Sequence, residues 1–250
     1  MSGVALNQVE HNRPMETSAR RAPKKQAAAR TYHHGDLRNA LLLEGRRLLE
    51  EKGAAELSLR ELARRVGVSE AAPSRHFAGK EELLAGVASD GFRELAAQRL
   101  ALTELKLGKL ELVREMLLSY VRYAQANKGV FNLMVGPRIL DAHRHGELLE
   151  VGATSFNLFS DSVVALALEH GWPRRQVELV AHGAWALEHG LATLILADRA
   201  PRKDRNVDLV QMIDFSIAML LSAIVAGPDA FRKVARPAAK AGKVSAAVLS

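Results

Sequence analysis

The sequence predicts an all-α protein, and its composition, its apolar periodicity and its helix-capping patterns all support that class. Hydrophobic residues make up 48% of the 250 residues, aromatic residues make up only 5%, and alternating β-branched runs are scarce. Apolar residues instead recur three and four positions apart, which is the period of amphipathic helices. We therefore expect about nine helices and enough chain for one or two domains with a sizeable core.

The positive charge of the chain is concentrated at its two ends. Residues 1–30 carry six bases and two acids, a net charge of +4, and residues 232–250 carry five bases and no acid, a net charge of +5. The net charge of the whole chain is +7, so residues 31–231 carry −2. Both ends are poor in bulky apolar residues, and we predict that they are disordered. Such segments either keep a protein soluble or attract nucleic-acid phosphates in a salt-sensitive way.

Several classes of protein and site are not indicated. The chain contains no Cys, which removes disulfides and thiolate metal sites and is compatible with a reducing cytoplasm. It has no G-x-G-x-x-G, P-loop or G-x-S-x-G motif. His182 and His189 lie two helical turns apart, too far to chelate one metal, and the other histidines lack ligand spacing. We predict no enzymatic activity, no cofactor and no metal.

Nothing in the sequence indicates a membrane protein. The first thirty residues lack the apolar core of a signal peptide. The most apolar stretch, residues 218–226, is too short to cross a bilayer. We therefore expect no membrane partner.

Residues 58–77 have the pattern of a helix-turn-helix. Ser58 and Glu61 have the S-x-x-E spacing of a capping box, which predicts that a short helix begins at Ser58. Gly67 suits the left-handed residue that ends such a helix, and Ser69 can cap the second one. Two short helices joined in this way form a helix-turn-helix, whose second helix fits the major groove of DNA.

The other helices follow from apolar spacing and from Gly and Pro breaks. The predicted helices cover residues 36–52, 58–66, 69–77, 80–102, 109–127, 146–170, 173–198 and 207–226, with a shorter segment that ends at residues 136–137. They divide the chain into four parts: a basic arm (1–30), a helix-turn-helix head (31–95), a helical body (96–231) and a basic tail (232–250).

The last two predicted helices each carry an apolar seam that suits near-antiparallel packing. One pair of seams could be buried within a single chain, or two pairs from two chains could form a four-helix dimer interface. The spacing does not choose between these arrangements. The candidate dimer residues are Val180, Leu187, Leu191, Val210, Ile213, Ile217 and Leu220.

Residues 40–84 resemble the DNA-binding domain of the TetR/AcrR family of bacterial transcriptional regulators. The residues that match in register are Leu48-Leu49, Gly53, Ser58, Leu62-Ala63, Val66-Gly67-Val68-Ser69, His76-Phe77 and Lys80-Glu81-Glu82-Leu83-Leu84. The opening Tyr-His-His-Gly-Asp-Leu at residues 32–37 is similar to one subgroup, which also carries Trp-x-x-x-His-Gly in its C-terminal domain. Residues 185–190, Trp-Ala-Leu-Glu-His-Gly, fit that second motif.

The resemblance implies a homodimeric repressor in the bacterial cytoplasm, associated with the nucleoid. Each chain would place its recognition helix in a major groove of a palindromic operator in double-stranded DNA. A small-molecule effector in the helical body would release the DNA by favouring one of two arrangements of the heads. Two alternatives stay open: an architectural DNA-binding protein without an effector, and a helical enzyme with an incidental helix-turn-helix.

The resemblance also indicates which residues contact DNA. The candidates are Ser58, Arg60, Glu70, Ala71, Ala72, Ser74, Arg75, His76 and Lys80. The chain has Ser74 where the family usually has Tyr, which shortens the reach to phosphate. It has Pro73 where the family often has Leu, and the missing backbone donor predicts a tight or distorted start to the recognition helix.

A ligand cavity in the body would be lined by aromatic and flexible apolar side chains. The candidates are Phe131, Met134, Phe156, Phe159, Trp185 and His189. These residues would serve equally well in the core that a helical body of this size requires.

Overall fold

The computed structural model describes residues 34–136, 146–197 and 208–234. Within these ranges the chain forms eight α-helices, one 3-10 turn and no strand, which confirms the all-α class. The helices are α1 (His34–Glu56), α2 (Leu59–Val66), α3 (Lys80–Glu104), α4 (Lys109–Ala126), α5 (Lys128–Met134), α6 (Gly146–Glu169), α7 (Arg174–Leu196) and α8 (Leu209–Val234). The predicted basic arm, and the predicted basic tail beyond its first three residues, lie outside the described residues.

The head consists of α1, α2, the segment that follows α2, and the first turns of α3. Its core is made of apolar side chains that these elements bury together: Leu41, Leu48, Leu49, Leu57, Leu62, Phe77, Leu83 and Leu84. The backbone of α1 leaves helical geometry at Gly53, with φ 79°, and one further turn ends at Glu56. The predicted boundary at residue 95 lies inside α3, so one uninterrupted helix runs from the head into the body.

The predicted limits of α2 are confirmed by its caps. The Ser58 hydroxyl accepts a hydrogen bond from the Glu61 amide at 3.2 Å, which satisfies one of the free donors of the first turn. At the other end, Gly67 adopts the left-handed conformation with φ 77°. The Val68 amide then donates to the Ala63 carbonyl at 3.0 Å, as in a Schellman motif.

The second helix of the helix-turn-helix is not the α-helix that we predicted over residues 69–77. This stretch, here called the recognition segment, consists of turns and a single 3-10 turn, Pro73–Arg75. Most of its bonds span three residues: the Ala72 amide donates to the Ser69 carbonyl at 2.9 Å, and the His76 amide donates to the Pro73 carbonyl at 2.9 Å. One bond of α-helical span, from the Phe77 amide to the Pro73 carbonyl at 3.0 Å, closes the segment. Pro73 has no amide to donate to an earlier carbonyl, so the regular four-residue ladder is interrupted there.

The body is a helical bundle in which α3 packs against α6, and α7 packs against both α4 and α6. The short α5 packs between α1 and α3. At Gly91 two side chains of α5 pack directly over the backbone of α3, because an added Cβ would lie 2.6 Å from Met134 Sδ and 2.7 Å from Val130 Cγ1. This close approach fixes α5 against the helix that enters the head.

The seams of the last two helices are largely buried within one chain. Leu191, Ile213 and Ile217 are 5%, 7% and 1% exposed, and they belong to the core that α7 and α8 share with α4 and α6. Val180, Leu187 and Leu220 are partly buried at the edge of that core, whereas Val210 is exposed. The structure therefore corrects the candidate dimer interface at its buried members, which have no surface to offer a second chain.

Three helices, α6, α7 and α8, are long and apolar enough to cross a membrane by length and composition alone. The apolar stretch of the last helix was predicted to be too short, whereas α8 spans 26 residues and contains an 18-residue stretch with a mean hydropathy of 2.0. In α6, 39% of the corresponding 18-residue stretch is buried inside the bundle, against 22% in α8. The apolar side chains of α8 thus serve partly as core and partly as an exposed face.

Candidate functional site

The recognition segment presents a row of polar and small side chains on the outer surface of the head. Pro73 and Phe77 are buried, which anchors the segment to the core. The side chains between and before them point outward: Glu70, Ala71, Ser74 and Arg75 are exposed, and Ala72 and His76 are partly exposed. Alternation of buried anchors with exposed side chains therefore gives this segment one face for the core and one for a partner.

Arg75 is the exposed cation of this row. Its guanidinium makes no hydrogen bond or ion pair with any residue that the structure describes. Arg60, by contrast, is bound to Glu70 at 2.9 Å on the surface. An exposed pair of this kind adds little stability and can be exchanged for another anion. Of the two candidates, Arg75 therefore needs no rearrangement before it binds an external acceptor.

The start of α3 also faces this surface. Its N-cap, Gly79, offers no side-chain oxygen to the first free amides of the helix. Such amides, together with the helix dipole, form a site for a phosphate oxygen. The Lys80 ammonium lies next to them but donates to the Ala55 carbonyl at 2.8 Å, so in this structure it holds the end of α1.

The helix-turn-helix is clamped on α1 by Arg65. The guanidinium binds Glu51 at 2.7 Å, Glu61 at 3.2 Å and Glu44 at 3.3 Å. Hydrogen bonds from Arg64 and then Arg65 lower the pKa of Glu61 to about 2. Glu61 is thus kept ionised at neutral pH, and the contacts of Arg65 with both helices position the recognition segment relative to α1.

Two contacts join α1 of the head to the body. The Glu50 carboxylate accepts hydrogen bonds from the amides of Gly129 at 2.8 Å and Val130 at 2.9 Å, so it caps the N-terminus of α5. A carboxylate at this position is stabilised by the helix dipole. Arg46 binds Glu94 of α3 and the Asn127 side-chain oxygen, the latter at 2.6 Å, just before α5 begins.

A cavity of about 540 Å³ opens in the body between α3, α4, α6, α7 and the end of α5. Its lining is mainly apolar and aromatic, and its volume is in the range of small-molecule sites. The side chains that give the cavity its character are Phe92, Arg99, Tyr120, Ser155, Phe156, His182, Trp185 and His189. Met134, Val135 and Gly136 also line it, so the cavity reaches the C-terminal end of α5.

The structure brings four of the six candidate ligand residues to this cavity and leaves two in the core. Met134, Phe156, Trp185 and His189 are in the lining. Phe131 and Phe159 are fully buried instead. Phe131 supports the wall from behind, because its ring packs edge-on against the Tyr120 ring with 5.1 Å between centroids.

A buried pair of side chains, Arg99 and Glu188, lies at the wall of the cavity. Arg99 and Glu188 are 2% and 0% exposed, and the Arg99 Nη2 donates to Glu188 Oε1 at 2.8 Å. The guanidinium also lies over the rings of Tyr120 and Phe159, at 5.4 Å and 5.0 Å from their centroids. Burial raises the pKa of Glu188 to about 8, because desolvation of the carboxylate outweighs the favourable Arg99 charge.

Comparison with known proteins decides the family of this chain. A family model described as bacterial regulatory proteins of the tetR family matches residues 41–87, and one described as a tetracyclin repressor-like C-terminal domain matches residues 113–220. The chain belongs to the TetR family. The first match contains every candidate DNA contact, and the second contains the Trp-x-x-x-His-Gly motif.

Solved structures share this TetR-family fold. A protein of unknown function from Rhodococcus sp. RHA1 is 29% identical with a TM-score of 0.62, over 78% of this chain and 97% of that one. The TetR family transcriptional regulator PfmR from Thermus thermophilus is 19% identical with a TM-score of 0.53, over 75% and 97%. A TetR/AcrR regulator from Thermobifida fusca is 17% identical with a TM-score of 0.55, over 74% and 97%. No curated protein matches the chain significantly.

The family assignment makes this chain a DNA-binding transcriptional regulator. Arg99, Tyr120 and Ser155 line the cavity but are not among the residues predicted from the sequence. Arg99 carried one signal, since it is a charged residue on the inner face of an otherwise apolar stretch of α3. Neither Tyr120 nor Ser155 has a sequence signal of that kind. Among the described residues no group of His, Asp and Glu is arranged to hold a metal.

The raised pKa of Glu188 predicts a pH-dependent stability for this TetR-family protein. The folded state keeps a proton that the unfolded state releases, so the free energy of unfolding should fall as pH rises from about 4.5 to about 8 and level off above. We expect Glu188→Gln to remove about 3–5 kcal/mol of this pH-dependent difference. Urea unfolding from pH 5 to pH 9 measures it, with Glu178→Gln, an exposed site on the same helix, as the control. Parallel profiles for Glu188→Gln and the parent would contradict the prediction.

Proposed function

We propose that the protein is a homodimeric repressor that binds a palindromic operator and is released from it by a small molecule in the cavity of the body. One observation carries this proposal: Glu50 of the head caps α5, and the other end of α5 lines the cavity. A regulator of this kind needs a DNA-binding surface, a ligand site and a physical link between them. We place its action in the bacterial cytoplasm, at the nucleoid.

The outward row of the recognition segment supports sequence-specific binding. Arg75 can bind guanine with two hydrogen bonds or can hold a phosphate. Ala71 and Ala72 are small enough to allow a close approach to the groove and to contact thymine methyl groups. The short 3-10 turn limits how far the segment can enter the groove, so the phosphate contact at the start of α3 fixes its depth.

The link between cavity and head depends on the capped end of α5. A ligand that pushes on Met134, Val135 or Gly136 displaces a helix of only seven residues. Such a short helix moves largely as a rigid body, so its capped N-terminus moves with it. Because Glu50 belongs to α1, the displacement is passed to the helix on which Arg65 holds the helix-turn-helix.

A second copy of the chain is the proposed partner of the exposed face of α7 and α8. On α7 this face is an uncharged stripe: Leu179, Gly183, Ala186, Gly190 and Leu194. On α8 it is Phe215, Met219, Ser222 and Ala226. Leu179, Phe215 and Met219 are 72%, 67% and 58% exposed, which is unusual for large apolar side chains unless another surface covers them. Two such helix pairs would form a four-helix interface with the heads side by side.

The two alternative functions differ from this proposal in what they bind. An architectural protein without an effector would bind duplexes according to length and regardless of sequence. An enzyme would retain catalysis without the head. Selection of bound fragments from genomic DNA, followed by footprinting, tests the regulator: we expect one inverted repeat with half-sites about one helical turn apart or slightly more. Protection that covers all sequences equally would favour the architectural protein.

Arg75→Ala should weaken operator binding by about 1–3 kcal/mol. If the side chain reads guanine, one base position in each half-site becomes degenerate. If it binds phosphate, all sequences lose affinity alike and the salt dependence becomes shallower. Fluorescence anisotropy on the operator and its single-base variants measures both. Arg174→Ala, on the body, is the control, and an Arg75→Ala protein with parental affinity for every duplex would remove this residue from the interface.

Glu50→Ala should uncouple the head from the cavity, because it removes the cap of α5. Linkage is reciprocal, so operator binding should alter the surroundings of Trp185 in the cavity wall. In a Trp172→Phe background Trp185 is the remaining tryptophan, and its emission should change on addition of operator. We expect Glu50→Ala to abolish most of that change. Glu56→Ala, an exposed carboxylate on the same helix that does not contact α5, should retain it, and an unaltered response in Glu50→Ala would contradict this route.

Phe215→Asp should convert the dimer into a folded monomer. Association would bury an unpaired carboxylate in the proposed apolar face, and the free-energy cost of that burial exceeds the free energy gained by association. Sedimentation velocity measures the assembly, and circular dichroism measures the fold. Leu43→Asp, an exposed apolar site on α1, is the control and should remain dimeric. A dimeric Phe215→Asp protein would show that the two chains meet elsewhere.

A further inference from the structure

A polar patch lies at the wall of the cavity: Arg99 and Ser155 line the wall, and the fully buried Glu188 is bound to Arg99. The Arg99 guanidinium donates to the Ser155 carbonyl at 2.9 Å and to Glu188 Oε1 at 2.8 Å. Three atoms of this patch are buried without a hydrogen-bond partner among the described residues: Arg99 Nε, Ser155 Oγ and Glu188 Oε2. Buried polar atoms without partners are rare in folded proteins, and several together point to a missing group.

The chemistry of the missing group follows from these atoms. Arg99 Nε can only donate, because a guanidinium has no acceptor. The Ser155 hydroxyl can donate as well. Arg99 and Ser155 both border the cavity, and their unpartnered atoms are covered by neighbouring side chains. A small displacement of those side chains would let an acceptor on a molecule in the cavity reach them. A cation or an ammonium group would meet the Arg99 charge and is disfavoured.

The charge of the patch decides between a neutral and an anionic acceptor. Because burial raises the pKa of Glu188 to about 8, this side chain is largely protonated at neutral pH and leaves the Arg99 charge without a counter-ion. The other titratable groups that face the patch add no negative charge. Burial raises the pKa of Tyr120 on α4 and lowers that of His189 on α7, so both are neutral, and they bind each other at 3.0 Å. The His182 ring of α7 packs against the Phe156 ring, with 5.4 Å between centroids.

We propose that the cavity binds an apolar molecule with a single carboxylate, which is held by Arg99 and Ser155 while the apolar body lies along Phe92, Phe156 and Trp185. This inference rests on the proposed function, because it names the class of effector that the cavity accepts. The carboxylate replaces Glu188 as the counter-ion of Arg99, and Glu188 keeps its proton. The cavity volume of about 540 Å³ suits a chain of medium length or a compact ring system.

Three probes with the same chain length and different polar end groups test the class of ligand: decanoate, decanol and decylamine. In the Trp172→Phe background, Trp185 emission reports occupancy of the cavity directly, with no DNA present. We expect decanoate to bind at least about tenfold more tightly than decanol, and decylamine to bind most weakly, because an acceptor anion gains the Arg99 charge. Equal affinity for decanoate and decanol, or tighter binding of decylamine, would overturn the proposal.

Variants of the patch test which residues hold the carboxylate of the ligand. Arg99→Gln should remove the preference for decanoate over decanol, whereas Arg93→Gln, a surface arginine on the same helix that pairs with Asp90 and Glu147, should keep it. If Arg99→Gln fails to fold, Ser155→Ala decides, because it leaves the Arg99–Glu188 hydrogen bond intact. It should weaken decanoate about three- to tenfold and leave decanol unchanged. A Ser155→Ala protein with parental affinity for decanoate would overturn the placement.

The proton on Glu188 gives an independent readout. Decanoate stays ionised above about pH 6, so its affinity for the parent protein should fall about tenfold per pH unit above about pH 8, as one proton leaves the patch. Glu188→Gln should give a flat profile, and Glu178→Gln, an exposed site on the same helix outside the cavity, should behave like the parent. The same slope in Glu188→Gln and the parent would contradict the mechanism.

Failure of this inference is distinguishable from failure of the proposed function. Decanoate that binds without releasing the operator would leave the ligand class intact and refute release by that class. Release of the operator by a neutral compound, with no binding of decanoate, would support the repressor and overturn the carboxylate.

Discussion

The buried guanidinium of Arg99 is the interaction on which the arrangement of the body depends. It extends from α3, the helix that begins in the head, to the Ser155 carbonyl on α6 and Glu188 on α7. The rings of Tyr120 and Phe159 stack against it from α4 and α6. One cation therefore ties together four helices. A buried pair is rarely better than an apolar contact of the same size, but loss of one partner is strongly destabilising.

Arg99 therefore has both a structural role, in holding the helices together, and a proposed binding role. Three polar atoms of the patch are left without partners among the described residues, so the patch keeps hydrogen-bonding capacity that these residues do not use. A ligand that supplies the acceptor stabilises the bundle in the arrangement that fits it, and it does so at the helix that reaches the head. The stability of the body and its response to a ligand then share one set of hydrogen bonds.

The head was largely predictable because its signals are local. The Ser58 cap, the Glu61 spacing and the Gly67 terminus depend on neighbouring residues alone, and the structure has α2 between them. The recognition segment was predicted with the wrong type of helix, although Pro73 carried the signal. The removal of one amide predicts a distortion of an α-helix, whereas burial of Pro73 and Phe77 in the core favours the tighter turn.

The cavity and the outer face of the body were less predictable, because the sequence does not fix which face of each helix points into the core. A residue spacing of three and four defines an apolar face, but α7 and α8 have apolar residues on two adjacent faces. Ile217 is 1% exposed and Met219, two positions later, is 58% exposed, yet both are apolar. Periodicity cannot tell which of two such faces meets the same chain and which meets another. That choice depends on the packing of α4 and α6 around α7, which no local pattern of α8 contains.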